Sequence, residues 1–364
     1  MTALRAGVIG LGAMGRHHAR VLGSMPGVSL VGVADASPAA RAEAPACTVT
    51  AHLEELLPLG LDLCVVAVPT RRHTEIGLEL ARAGVHTLIE KPLAATVTDG
   101  SALADAFERA GLVGCVGHVE RYNPVLRALR RRVCDGDLGR LFQIATSRQG
   151  PYPDRIRDVG VVLDLASHDI DLTRWIAGSP YLKVSAYTTR SMARQHEDLA
   201  SVAGVLRDGT VISHLVNWLS PLKERTVTVT GERGCLRADL LAKELWFQRG
   251  DLADDRPAAD RTGEPGAAGL SRCPVAWQEP LRAELENFRD AVLGKDADIV
   301  TMRQGTDVLE VASNVLATVP GTRRDVPAAR RENLVLPGGS PALTTRTDDA
   351  ADVLIPAVTL RPVR

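Results

Sequence analysis

The chain has 364 residues, 45% of them hydrophobic and 24% charged, with a formal net charge of −1. That length is long for one core and predicts two domains, and the even charge balance excludes a bulk field that would recruit nucleic acid or a membrane surface. No apolar run reaches the roughly 18 residues of a membrane span, and the opening residues lack the pattern of a signal peptide, so a cytoplasmic address is expected.

The first apolar run, Leu4–Ile9, reads as a strand, and Gly10-Leu11-Gly12-Ala13-Met14-Gly15 follows it directly, ahead of a helical run over Met14–Leu22. Strand, G-x-G-x-x-G and helix in that order form the dinucleotide fingerprint. Gly10 permits the tight turn, Gly12 leaves the backbone open to a pyrophosphate, and Gly15 lets helix and strand lie close. The free N–H groups of Ala13, Met14 and Gly15 attract the phosphate charge. A second run, Val28–Ala34, ends in Asp35, whose carboxylate can accept the adenine ribose hydroxyls and repels a 2′-phosphate, so the expected cofactor is NAD rather than NADP.

Further strands are expected at Leu61–Val68, Val85–Ile89 and Leu112–Val116, with helices at Leu53–Leu57, Thr74–Ala83 and Val97–Ala110. Continuous apolar strands between amphipathic helices predict a doubly wound parallel sheet, a Rossmann domain over residues 1–122, with ligands outside the strand carboxyl ends. Those ends carry Pro69, Thr70 and His73, then Glu90, Lys91 and Pro92, then Glu120, Arg121, Tyr122 and Asn123. Of the four Phe, four Trp and four Tyr residues, only Phe107 precedes residue 120. That shift marks a second, α+β domain over residues 123–322.

In it a basic amphipathic helix, Val125–Val133, precedes strands at Arg140–Ser147, Lys183–Thr189, Leu199–Leu206, Thr210–Trp218, Glu224–Thr230, Cys235–Asp239 and Glu244–Gln248. Their alternation predicts an open, mostly antiparallel sheet. Val216, Trp218, Trp246 and Phe247 are expected to give it an uncovered bulky face, and so a homodimer or homotetramer. Gly250–Cys273 reads as a loop, Pro280–Leu293 and Arg303–Thr318 as helices, the latter able to pack back on the first domain. The tail over residues 323–364 shows no confident element. Six cysteines without a C-x-x-C pair are read as reduced thiols, and His17 and His18 lack further ligands at metal spacing, so no metal is expected.

One helix, Leu163–Ile176, is inserted early in this domain. Asp164, His168, Asp171 and Trp175 recur along it at helical spacing, which places them on one face. Asp164 is expected to hydrogen-bond His168 and raise its basicity. Lys91, beside a nicotinamide, can bind a substrate hydroxyl or share its proton.

Taken together, Gly10-x-Gly12-x-x-Gly15, Asp35, Pro69-Thr70 with His73, Glu90-Lys91-Pro92 and Asp164-x-x-x-His168-x-x-Asp171 resemble the Gfo/Idh/MocA family of oxidoreductases. The resemblance spans about residues 4–320. It implies a sugar or cyclitol held between a Rossmann domain and an open-sheet domain, with Lys91, Asp164 and His168 around the carbon that exchanges hydride. The stretch from Gly117 to Pro124 is similar to the variant in nucleotide-sugar 3-dehydrogenases, which implies oxidation of the C3 hydroxyl of a UDP-hexose. His168 is then the base, Lys91 binds the same oxygen, and Glu120, Arg121, Tyr122 and Asn123 contact the sugar or its diphosphate. Two rivals are kept: a dehydrogenase of the same family for inositol, a free sugar or a sugar phosphate, and a non-catalytic dinucleotide-binding regulator, which has no need of Lys91, Asp164 and His168 together.

Overall fold

The computed structural model describes residues 3–153, 159–192, 195–250 and 270–317. Asp158, most of the Gly250–Cys273 loop and the tail from residue 318 lie outside them. A six-stranded sheet is built from β1 (Leu4–Ile9), β2 (Val28–Ala34), β3 (Thr48–Thr50), β4 (Leu63–Val66), β5 (His86–Glu90) and β6 (Gly114–Gly117). Its order is β3-β2-β1-β4-β5-β6, and every pairing is parallel. This is the Rossmann order, with the switch point between β1 and β4.

Both faces of the sheet are covered, which is why its strands are apolar without interruption. On one face Val66, Ile89 and Val116 pack with Ile76, Leu80, Leu103 and Phe107 of helices α3 (His73–Arg82) and α4 (Val97–Ala110). On the other, Val8, Val65 and Leu88 pack with Leu22 of α1 (Ala13–Gly23) and with Leu285 and Phe288 of the late helix α7 (Pro280–Val292). Each fully buried Leu or Phe contributes about 1.5–3 kcal/mol. Helix α4 starts where Thr96 Oγ1 accepts the Asp99 N–H at 3.1 Å and stops at Gly111, whose φ of 63° ends it in the left-handed region. The short helix α2 (Pro38–Ala42) follows β2. Leu53–Leu57 is not one helix but part of two 3₁₀ turns, Leu53–Glu55 and Leu57–Leu59, with Leu56 between them and Pro58 in the second.

The second sheet holds β7 (Leu141–Pro151), β8 (Tyr181–Thr189), β9 (Leu199–Leu206), β10 (Val211–Asn217), β11 (Leu219–Gly231), β12 (Gly234–Asp239), β13 (Glu244–Arg249) and β14 (Leu270–Cys273). The order is β14-β13-β12-β11-β7-β10-β9-β8, and among the described residues only the β7–β10 pair is parallel. Strand β14 corrects the loop reading at its carboxyl end. Along β7 and β10, Ile144, Thr146, Arg148, Ile212, His214 and Val216 are buried, beneath α5 (Pro124–Cys134), α6 (Ser167–Ala177) and α8 (Met302–Ala317). Alternate residues such as Ala145, Ser147, Val211 and Leu215 face the other way.

Val216 and Trp218 belong to the covered face, packed with Val161, Ile170, Val308 and Ala312. The expectation that they lie on the open face is therefore wrong by one step of the strand alternation. Phe247 also turns inward, toward Leu236 and Leu245. The open face presents Val211, Leu215 and Tyr187 instead, 50%, 38% and 77% exposed. Helix α8 packs on both α4 and β8, and just before it Thr301 bridges to Cys115 while Val300 accepts the Val116 N–H at 2.9 Å. Among the described residues no helix is long and apolar enough to cross a membrane.

Candidate active site

A cleft of about 780 Å³ opens at the carboxyl ends of β1, β2, β4 and β5. Its floor is the glycine turn. Gly10 has a φ of +92°, and a Cβ there would stand 2.4 Å from the Ala67 carbonyl oxygen. A Cβ on Gly15 would fall 1.7 Å from the Gly10 oxygen, whereas one on Gly12 would meet nothing within 4 Å. Two glycines thus close the turn and the third leaves the backbone bare toward the cleft. Helix α1 begins here with no acidic residue in its first turn and no side-chain cap, so its leading N–H groups stay available to an anion.

Asp35 closes the far end. Its Oδ2 accepts the Leu11 N–H at 2.6 Å and its Oδ1 the Ser37 N–H at 2.7 Å. These bonds lock the carboxylate while each oxygen keeps a lone pair for a diol. Arg41 Nη1 donates at 2.7 Å to the Asp35 backbone oxygen. Pro69, Thr70, Ser37 and His52 also line the cleft, with Arg71 and Arg72. The residues fit a dinucleotide with an unphosphorylated ribose.

Of the other expected cofactor contacts, Ala13, Met14, Glu90 and Lys91 line the cleft, and His73 does a different job. Its ring nitrogens lie 2.9 Å from the Pro92 and Val68 carbonyl oxygens, so the buried ring ties the ends of β4 and β5 together. Glu90 accepts the buried His18 Nε2–H at 2.8 Å and the Lys91 N–H at 3.1 Å. Burial would raise the Glu90 carboxyl, but the His18 bond and the nearby charges hold it below the usual value.

Lys91, followed by a cis peptide to Pro92, reaches across to the second domain. Its Nζ donates to Asp164 Oδ1 and to the Asp164 carbonyl oxygen, both at 2.8 Å. Asp164 sits in a π-helical turn, Val162–Ala166, that leads into α6. Gly160 opens this segment because a Cβ there would strike the Glu197 carboxylate, whose Oε1 accepts the Val162 N–H at 3.1 Å. The wider π turn changes the angular step between Asp164 and His168, and the Asp164 carboxylate is bonded to Lys91. The expected Asp164–His168 hydrogen bond is absent.

His168 instead stands edge-on to His118, ring centroids 6.4 Å apart. Its Nδ1 is buried and has no hydrogen-bond partner among the described residues. Burial, and then the charges of Lys91 and Arg148, push its pKa well below the ordinary value, so the ring is neutral at pH 7. His118 is lowered too, by burial, with Asp171 pulling the other way.

The 119–122 turn is bound into the framework. Arg121 is buried and donates to Asp171 in bidentate fashion at 2.8 and 2.5 Å, with Gln304 Oε1 at 3.1 Å. Tyr122 is buried and its hydroxyl donates to the Asp298 carbonyl oxygen at 2.8 Å. Asn123 caps α5 by accepting the Val125 N–H at 3.1 Å. Glu120 accepts from Arg148 Nη1 at 2.8 Å, and Arg148 Nε donates to Asp169 at 3.1 Å. The fork expected to hold a sugar at Arg121 is thus filled by Asp171. Arg148 and its neighbour Arg225 were not expected near the site. The signal is the alternation Ile144-x-Thr146-x-Arg148, which carries an arginine onto the covered face.

Known proteins resemble both halves of this chain. Residues 4–118 match the oxidoreductase family with an NAD-binding Rossmann fold, and residues 126–237 match the GFO/IDH/MocA C-terminal domain. A myo-inositol dehydrogenase of Streptomyces leeuwenhoekii, Hyg17, is 32% identical over 90% of this chain and 100% of its own length. The chain belongs to the Gfo/Idh/MocA family of oxidoreductases. A UDP-N-acetylglucosamine 3-dehydrogenase of Acidithiobacillus ferrooxidans is 27% identical over 88% of this chain, and its structure, 98% covered, superposes with a TM-score of 0.77. The structure of GenD2 from gentamicin A biosynthesis, in complex with NAD, is 26% identical with a TM-score of 0.72, covering 87% of this chain and 94% of that one. The family membership makes this chain an NAD-binding dehydrogenase with an N-terminal Rossmann domain and a C-terminal, mostly antiparallel sheet.

Proposed function

We propose that this enzyme oxidises a secondary hydroxyl of a UDP-hexose, at C3, to a keto sugar, with NAD held over residues 1–122 and the sugar met by residues 123–322. What supports the reading is the Lys91–Asp164 contact, which joins the cofactor cleft to the second domain, with the Lys91 charge felt at His168. Relatives named for UDP-sugar oxidation extend over nearly the whole chain. Bound NAD supplies the hydride acceptor, and Gly12, the start of α1, Asp35 and Thr70 hold it. His168, neutral and buried at Nδ1, takes the hydroxyl proton through its other nitrogen. Lys91 donates a hydrogen bond to the same oxygen as negative charge grows there, and Asp164 fixes the direction of that donor. Arg121, Tyr122 and Asn123 act by shaping the wall, since their own polar groups are engaged within the protein. The enzyme works in the cytoplasm as a homodimer or homotetramer, paired through the open face around Leu215 and Tyr187.

A second reading, inositol dehydrogenase, is favoured by the 32% identity to the myo-inositol enzyme. Side-by-side NADH-formation assays with UDP-glucose, UDP-N-acetylglucosamine, glucose 6-phosphate and myo-inositol separate the two. Turnover only with nucleotide sugars is the expected result; turnover only with myo-inositol transfers the conclusion to the second reading. His168→Ala is expected to lose about 10²–10⁴-fold in rate with NAD affinity intact, and an unchanged rate refutes the assignment of the base.

A further inference from the structure

Strands β7 and β11 place Arg148 and Arg225 directly opposite one another. Residues 148 and 225 share the covered face, beside the helical segment that carries Asp164, His168 and Asp169. The three carboxylates of this wall are already committed. Arg148, 4% exposed, holds Glu120 and Asp169, and Lys91 holds Asp164. Arg225 has none. Its Nη1 donates at 2.8 Å to two backbone oxygens, of Gln149 and Glu224. The Glu224 carboxylate turns instead to Gln149 Nε2 and Thr226 Oγ1. The Nε and Nη2 donors of Arg225 have no acceptor among the described residues, although the residue is half-buried. A guanidinium held through one nitrogen, with a planar pair of donors left over, is the arrangement that receives a carboxylate or phosphate in bidentate fashion.

We propose that Arg225 forms an oxyanion-binding subsite beside His168 and Lys91, so that the alcohol oxidised here carries a carboxylate or phosphate group. This rests on the dehydrogenase reading above and adds to it the residue that holds the substrate's anionic group. The electrostatics agree: burial and the facing Arg148 charge lower the Arg225 guanidinium, which Asp169 and Glu120 only partly offset, as expected of a cation short of a counter-ion. The same wall argues against neutral cyclitols, which leave those donors without an anion.

The test titrates the NAD-loaded full chain calorimetrically with two matched pairs: glucuronate against glucose, and UDP-N-acetylglucosamine against N-acetylglucosamine. Each is measured on wild type, Arg225→Gln and Arg225→Lys, with melting temperature as the fold control. The wild type is expected to prefer the anionic member of at least one pair, and Arg225→Gln to weaken that member about ten- to hundredfold. Arg225→Lys, which keeps the charge, should recover part of the loss. The pair that responds tells carboxylate from phosphate. Should the glutamine variant fail to fold, Arg225→Met, which keeps the apolar stem, takes its place. Anionic affinities unchanged within twofold in a folded charge-removing variant overturn the subsite. If NADH forms with none of these sugars while the anion preference still depends on Arg225, the dehydrogenase reading fails and the subsite stands.

Discussion

The replacement Asp164→Asn separates two ways of wiring this site. At 2.8 Å the Lys91–Asp164 pair has a Coulomb attraction of about 6 kcal/mol at an effective dielectric of ~20, much of it offset by desolvation. The side chains are 16% and 8% exposed, so water screens the pair partly, and breaking it should cost about 2–3 kcal/mol rather than the 3–5 of a fully buried pair. Lys91→Met strands the Asp164 carboxylate and should cost a similar amount. The double variant removes both charges and should cost about as much as one single variant, giving a coupling energy of about 2–3 kcal/mol. Asp164→Asn with His168→Asn should be additive within about 0.5 kcal/mol, because no hydrogen bond joins them. Urea unfolding of the four proteins of each cycle gives both numbers. A coupling near zero for the lysine cycle, or a larger one for the histidine cycle, refutes the wiring and restores the Asp–His pair expected from helical spacing.

His168 is neutral in the folded chain because burial and Lys91 depress its pKa, whereas in the unfolded chain it titrates near its ordinary value. The unfolded state therefore binds the extra proton, and stability present above about pH 6.5 declines as pH falls below it. His168→Asn should make that decline shallower by up to about 1.4 kcal/mol per pH unit; equal slopes in urea melts at a series of pH values would count against a buried neutral ring. His214, pushed down to about 3 by burial, adds a decline of the same sign. Replacing Asp35 by Ser removes the charge opposed to a 2′-phosphate while Arg41 stays near, so the kcat/KM ratio for NADP over NAD should rise at least about tenfold. An unmoved ratio would place the discrimination elsewhere. Leu215→Lys puts a charge in the middle of the open sheet face, 38% exposed as it stands, and should yield monomers in sedimentation velocity; an unchanged assembly would move the interface off that face.

The first sheet was legible because burial on both faces makes each strand an unbroken apolar run. Leu4–Ile9, Val28–Ala34 and helix Val97–Ala110 were readable to the residue. Thr48-Val49-Thr50 was not, since three residues at an edge carry too little pattern to stand out from a turn. In the second sheet the strands other than β14 were visible, but their facing was not, since either parity of Val216 and Trp218 suits a bulky face. The candidate site was legible as a set of residue types at strand ends. Its partnerships were not: which carboxylate meets which cation depends on the π turn at Asp164 and on register across strands, as with Arg148 opposite Arg225. His18 looked like an ordinary helix residue and proves to be the partner of Glu90.

The bond from Val116 to Val300 bears on how the chain comes into being. Strand β6 is the outer strand of the first sheet, and the segment that covers it, Val300–Thr301, is synthesised more than 180 residues later. During translation the nucleotide-binding half therefore leaves the ribosome with an open edge, the kind of surface that pairs with other nascent chains. Chains ending before residue 300 should keep that edge, which closes only once Val300 and Thr301 have been made.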